Sequence, residues 1–351
     1  MVTQRRLAVV AVIGCIALPA SLLHFPVAWA RGKKAPLASV KFIPPLNGVE
    51  TEGNAINDRG ECVGRLTDRR GVLLPFVVRG KGIEVLPLPK GSSKGVANAI
   101  NENGVIAGTQ LERMAYGLRW RKGAKVESLM AGGRTVWAKT VSRNGTVAGH
   151  TVELKPLDFN NRPSAIALGV LWKGTGEGEV RKDFAPAAGN QEGTLVGEAF
   201  VGGSVQPAIL KNKKLLLLPA LENTERTMPL AISNKEMAVG MAIVKVNQRH
   251  PVYRPVYWTN GKAVSLPVPG GRRGRAFGVN NQGIIVGMIE AADGADHAAA
   301  WKNGKVTDLN TLIDKGSGWT LLAANGINNK GQIVGTGFKQ NRHIAFVLDF
   351  K

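Results

Sequence analysis

Apolar and polar residues alternate along this chain in short runs broken by Gly, Asn and Lys, the pattern of half-buried β-strands joined by tight turns. One segment recurs: a small residue, an aliphatic, Asn or Ser, two variable residues, Gly, then apolar residues ending in Gly. It reads AINDRGECVG from Ala55, AINENGVIAG from Ala99, TVSRNGTVAG from Thr140 and AGNQEGTLVG from Ala188. AISNKEMAVG from Ala231, GVNNQGIIVG from Gly278 and GINNKGQIVG from Gly326 complete seven copies, spaced 44, 41, 48, 43, 47 and 48 residues apart. Periods of this size mark arrays or propellers.

Each marker predicts a β-hairpin. Its Asn can bond its own backbone in an Asx-turn, and the Gly three residues on suits the positive φ of a bulged type I turn. Two copies depart: Glu236 stands for the turn Gly and Gly189 for the aliphatic, so those hairpins are expected to be the loosest. A second hairpin follows in every copy, as in LRWRKGAKVESL from Leu118, VYWTNGKAVSLP from Val256 and AAWKNGKVTDLN from Ala299. Four strands per repeat form a sheet that needs neighbours on both faces. Stacking the sheets radially meets that need and leaves only short edges.

Two details favour a closed ring. The residue two before the marker Asn or Ser is always small (Ala55, Ala99, Thr140, Ala188, Ala231, Gly278, Gly326), as strands converging on an axis require. The chain is also out of phase with its repeat: the seventh copy ends at its third strand, and SVKFIPPL, 39–46, resembles the missing fourth. The expected fold is therefore all-β, a seven-bladed propeller of four-stranded antiparallel blades, closed by strand 39–46 completing the last blade.

Composition adds location. Arg5-Arg6 followed by an apolar run from Leu7 to Leu23, then Ala28-Trp29-Ala30, is the layout of a cleaved secretory signal over 1–30. A lipoprotein box at Cys15 and a twin-arginine signal at Arg5-Arg6 fit the flanking residues less well. Residues 31–38 then read as a basic linker and 39–351 as one propeller domain. No other stretch reaches the roughly 18 apolar residues of a membrane span, so the mature chain is expected to be extracytoplasmic, monomeric and without a transmembrane segment. The signal carries two arginines and no acid, leaving 44 basic against 25 acidic residues, a charge of +19. Cys62, then the lone cysteine, falls at a buried strand position.

The repeats resemble the HAF-repeat family of extracellular proteins, whose unit pairs an I-N-x-x-G-x-x-V-G marker with H-A-F-x-W. HAAAW from His297 and HIAFV from His343 match the second half best; Arg254, Tyr116 and Gln206 hold the His position elsewhere. The resemblance spans about residues 39–351. It implies an extracytoplasmic repeat fold and no catalytic residues.

Chemistry is sparse. No His pair has metal-ligand spacing, Asp293-Gly294-Ala295-Asp296 lacks the alternating ligands of a calcium loop, and no G-x-S-x-G elbow or cofactor motif occurs. No catalytic residue, metal or cofactor is expected. Charge is more informative, because the turn of the second hairpin is basic in most repeats: Arg79 and Lys81; Arg121, Lys122 and Lys125; Lys173; Lys211, Lys213 and Lys214; Lys262; Lys302 and Lys305. Such a rim serves solubility and edge protection, or attracts an anionic polymer. The opposite, loop-bearing face supplies the candidate ligand-binding residues Arg134, Trp137, His250, Arg254, Arg272, Arg273, Arg275, His297, Trp319, Arg342 and His343, with the insertion from Lys155 to Arg162. The expected function is an exported, non-catalytic module binding an anionic envelope polymer, polysaccharide or protein. Export argues against a physiological nucleic-acid partner. The alternative is a polysaccharide lyase or hydrolase with its site at the loop-side mouth of the channel.

Overall fold

Seven alternating repeats fold into seven antiparallel sheets in a computed structural model that describes residues 37–46, 48–155, 164–244 and 251–350. The chain is a seven-bladed β-propeller of four-stranded antiparallel blades. Blade 1 runs from its inner strand Glu50–Ile56 through Cys62–Thr67 and Leu73–Arg79 to the outer strand Gly82–Val85. The inner strands of blades 2 to 7 are Gly95–Ile100, Val136–Val141, Phe184–Gly189, Thr224–Ile232, Gly274–Val279 and Trp319–Ile327. Each packs beside the next, and blade 7 packs beside blade 1. Blade 2 gains a short fifth strand, Gly176–Glu177, pairing parallel with Glu127–Met130. The expected signal, 1–30, and most of the expected linker, 31–38, lie outside the described residues.

The fourth strand of blade 7 comes from the start of the chain. Ala38–Phe42 pairs antiparallel with Arg342–Phe350, with Val40 opposite Leu348. It begins one residue before the expected 39–46 and stops four earlier. Pro44 and Pro45 cannot donate to a ladder, so the strand ends before them.

Cores lie between blades. Cys62, Leu66 and Phe76 of blade 1 pack with Val334, Ala345 and Val347 of blade 7. Val63 and Val77, on the other face of blade 1, pack with Ile106, Leu118 and Trp120 of blade 2. A sheet greasy on both faces therefore has a neighbour on each. Cys62 is fully buried, and that burial pushes its thiol up to about 12.

All seven marker turns adopt one conformation. The turn residue is left-handed in every copy, with Gly60 at φ 77° and Glu236 at φ 63°. Glu236 keeps the turn bond from its N–H to the Ser233 carbonyl, 2.9 Å, and its carboxylate meets Lys211 at 2.6 Å. The last marker Gly has a different reason. A Cβ on Gly64 would lie 1.8 Å from the Glu52 carbonyl, and one on Gly149 would lie 1.9 Å from that of Trp137. Strand two presses onto strand one there, beside a β-bulge that recurs in every inner strand.

Two rows of side chains stitch the blades. The marker Asn accepts its own turn's N–H groups on Oδ1 and donates Nδ2 to the same residue's carbonyl in the next blade. Asn57 reaches Asn101 at 3.1 Å, Asn101 reaches Ser142 at 2.8 Å and Asn190 reaches Ser233 at 3.0 Å. Asn280 reaches Asn328 at 3.1 Å, and Asn328 closes the circle on Asn57 at 2.9 Å. Ser142 and Ser233 have no amide to donate, and the row is interrupted there. Farther out, the third-strand indoles of Trp120, Trp172, Trp258 and Trp301 donate to the carbonyls of Pro87, Met130, Pro219 and Pro267, where the preceding blade's outer edge ends, at 2.7–2.8 Å.

Candidate functional site

In a four-stranded antiparallel blade the first and third turns emerge on one face, and the second turn and inter-blade connection on the other. Contacts bear this out: Arg79 in a third turn meets Glu61 in a first turn at 3.5 Å. Lys211 meets Glu236 of the next blade likewise. The propeller thus has a turn face and a loop face, with a channel between them.

The third turns of blades 1 to 6 carry the predicted basic rim. Of its twelve residues, Arg79, Arg121 and Lys211 are ion-paired, at 3.2 Å to Glu84, 3.2 Å to Glu127 and 2.6 Å to Glu236. Lys81, Lys122, Lys125, Lys173, Lys213, Lys214, Lys262 and Lys305 are exposed. Among the described residues, none of these eight side chains has a hydrogen bond or ion pair.

The turn-face mouth of the channel is ringed by the residues after the marker Asn or Ser. Backbone N–H groups donate around the circle to side-chain oxygens: Asp58 to Glu102, Glu102 to Gln191, Gln191 to Asn234, Asn234 to Asn281, Asn281 to Asn329, and Asn329 to Asp58. Blade 3 is skipped, because Arg143 stands there and turns to Glu192. Burial pushes the Glu102 carboxyl above its ordinary range. These oxygens are spent on backbone donors, so the ring is a structural rim.

Below the mouth lies a cavity of about 350 Å³. The seven small residues predicted to face the axis all line it, together with the bulge residue before each. Lys139 is the one charged side chain in that lining. Toward the loop face, Trp137 stacks against His150, ring centres 5.3 Å apart. Burial, then the Lys139 charge, lowers the imidazole to about 4 despite a backbone hydrogen bond at Pro186. His150 is neutral at physiological pH.

The loop-face candidates are spread out, and most are engaged locally. Arg254 donates to the Gly271 and Arg272 carbonyls at 2.6 and 3.2 Å, Arg272 donates to the Ala291 carbonyl, and Arg273 pairs with Glu290 at 3.0 Å. Arg275 lies 4.0 Å over the Tyr253 ring. These four gather at the junction of blades 5 and 6. Arg134 pairs with Glu153 at 3.7 Å, across the molecule's third blade. His297 sits 2.6 Å from Asp308, and His343 sits 3.2 Å from Glu50, so the two recurring histidines brace separate blades. Trp319 packs edge-on to Phe42 and Phe346 with Lys339 over its face, holding the borrowed strand. Arg342 is exposed. His250 and residues 156–163 of the insertion lie outside the described residues.

Sequence reading missed the bulge residues, the stitching partners and Arg119, a fully buried guanidinium 2.6 Å from Glu127. Among the described residues no cluster of three or more His, Cys, Asp or Glu could hold a metal, and no helix is long and apolar enough to cross a membrane.

No family model and no curated protein matches the chain. Solved structures do. A sialidase of Trypanosoma rangeli aligns with 90% of this chain at 9% identity and TM-score 0.43, and the chain spans only 58% of that protein. A gluconolactonase of Xanthomonas campestris aligns over 93% of each chain at 13% identity and TM-score 0.44. A lectin of Aleuria aurantia in complex with Fucα1-6GlcNAc aligns with 79% of this chain and all of its own, at 10% identity and TM-score 0.37. Likeness at this level carries no activity from those proteins to this one.

Proposed function

We propose that this chain is an exported, non-catalytic binding module of the HAF-repeat kind, whose turn face engages an anionic polymer of the cell envelope. The supporting observation is the rim of eight exposed lysines without partners, spread over six of the seven blades. Loop-face arginines are largely consumed by carbonyls and carboxylates. An isolated surface ammonium is screened within about 8 Å at physiological salt. A rim of them offers a polyanion several contacts at once, and binding of that kind weakens steeply as salt rises. The loop-side carboxylates Glu52 and Glu198 are each clamped by an arginine, Arg65 at 2.8 and 3.0 Å and Arg226 at 2.6 and 2.5 Å, which disfavours an acid-catalysed lyase or hydrolase at that mouth.

Binding to immobilised dextran sulfate tests the reading. The full chain should be retained at about 0.15 M salt. Joint substitution of Lys81, Lys122, Lys125, Lys213 and Lys214 by Gln should weaken binding by about tenfold or more. Substituting the loop-face Lys90, Arg113 and Arg342 should change little. Elution of the parent at trivially low salt, or equal losses from both sets, would overturn the assignment.

A further inference from the structure

Every inner strand carries a β-bulge at one place, and a bulge inserts an extra residue that re-aims a side chain. In this ring the extra residues are Asn54, Asn98, Lys139, Ala187, Leu230, Phe277 and Asn325, and all seven line the axial cavity. Their order around the ring divides the girdle. Blades 7, 1, 2 and 3 contribute Asn325, Asn54, Asn98 and Lys139, a continuous polar arc. Blades 4, 5 and 6 contribute Ala187, Leu230 and Phe277, a continuous apolar arc.

The polar arc is oriented by hydrogen bonds. Asn325 donates its Nδ2 to the Gly53 carbonyl at 2.8 Å, Asn54 to the Ala97 carbonyl at 2.9 Å, and Asn98 to the Ala138 carbonyl at 2.8 Å. The NH2 groups are thereby turned toward the next blade, those of Asn98 and Asn325 also reaching the Thr109 and Thr336 hydroxyls at 3.4 and 3.5 Å, so each Oδ1 is left as an acceptor, and among the described residues no donor reaches any of the three. Lys139 ends the run as the only cation. Its ammonium makes no hydrogen bond or ion pair among the described residues, and burial lowers its pKa below the usual lysine range. A row of fixed acceptors suits hydroxyl groups, an unpaired ammonium suits a carboxylate, and the facing Phe277 and Leu230 suit an apolar ring face. The volume, about 350 Å³, is at the small end of ligand clefts.

We infer that the axial cavity is a binding site for a small polyhydroxy carboxylate of sugar-acid size, held by its carboxylate at Lys139, its hydroxyls on Asn54, Asn98 and Asn325, and its apolar face against Phe277. The site is separate from the lysine rim.

Isothermal titration with D-glucuronate tests it, using D-glucose and cyclohexanecarboxylate as probes that lack, respectively, the carboxylate and the hydroxyls. D-glucuronate should bind, and each partial probe should bind about tenfold more weakly or not at all. Lys139→Met fills the position with an apolar chain of similar length and removes an unpaired, half-buried charge, so folding should survive while D-glucuronate affinity falls about tenfold or more. Phe277→Ala should weaken D-glucuronate without altering the preference for a carboxylate. Absence of D-glucuronate binding by the full chain, or unchanged affinity in Lys139→Met, would overturn the assignment. The lysine-rim variant should bind D-glucuronate like the parent, and a matching loss there would move the carboxylate to the rim.

Discussion

Replacing Arg119 by Met should lower unfolding free energy by about 3–5 kcal/mol, read as a fall in the urea midpoint at unchanged slope. The guanidinium is fully buried and donates to Glu127 at 2.6 Å, to the Gly145 carbonyl at 3.0 Å and to the Gly174 carbonyl at 2.9 Å. It ties the third strand of blade 2 to the marker turn of blade 3. Removing it leaves the mostly buried Glu127 carboxylate with the partly exposed Arg121 alone and strands two carbonyls, and such groups cost far more unpaired than their pairing contributes. The double variant Arg119→Met with Glu127→Gln should recover part of the loss, because the carboxylate that has lost its buried partner is then neutral. A single-variant loss below about 1 kcal/mol, the range of an exposed ion pair, would show that the guanidinium is solvated rather than buried.

The marker amides come next in size. Asn101→Ala should cost about 2–4 kcal/mol by the same measurement, since the side chain is fully buried and loses three bonds at once. Its Oδ1 accepts from the N–H groups of Asn103 and Val105 at 2.9 and 2.8 Å, and its Nδ2 donates to the Ser142 carbonyl. Ser142→Asn is the converse. It restores an amide where the row is interrupted and should add about 0.5–1.5 kcal/mol. If Asn101→Ala behaved like an ordinary surface change, within about 0.5 kcal/mol, the circulating row would contribute nothing to holding the blades together.

Much of this architecture was legible in sequence because it is repeated locally. Seven markers gave away the hairpins. The small residues from Ala55 to Gly326 do line the cavity, since strands crowding an axis leave little room beside them. The borrowed strand was visible as a phase mismatch, though its end was set by Pro44 and Pro45 rather than by its apolar pattern. What could not be read were partners. Asn and Trp were each seen to recur, but the bond from Asn328 to Asn57 joins residues 271 apart, and Trp301 meets Pro267 across a blade boundary. A local pattern records which residues a turn needs and not which neighbour they reach.

The bulge girdle was hidden for a different reason. A cavity imposes no packing demand, so Asn54, Lys139, Leu230 and Phe277 share a position without sharing a residue type. Counting back one residue from each small position would have collected all seven, had the bulge been suspected. The loop-face arginines misled in the opposite direction. Arg254, Arg272 and Arg273 looked available because sequence lists charges without their partners, and the structure spends them on Gly271, Ala291 and Glu290. Eight lysines of the rim, by contrast, make no side-chain hydrogen bond or ion pair among the described residues.

Faces, rim and girdle all presuppose that the strand Ala38–Phe42 seals blade 7 against the rest of the ring. Hydrogen exchange read by mass spectrometry over residues 38–43 and 342–350 tests this directly, since paired strands of one cooperative unit open together. The two segments should exchange slowly and with protection free energies agreeing within about 1 kcal/mol. Complete exchange of 38–43 within seconds, while 342–350 stays protected, would contradict the closed ring.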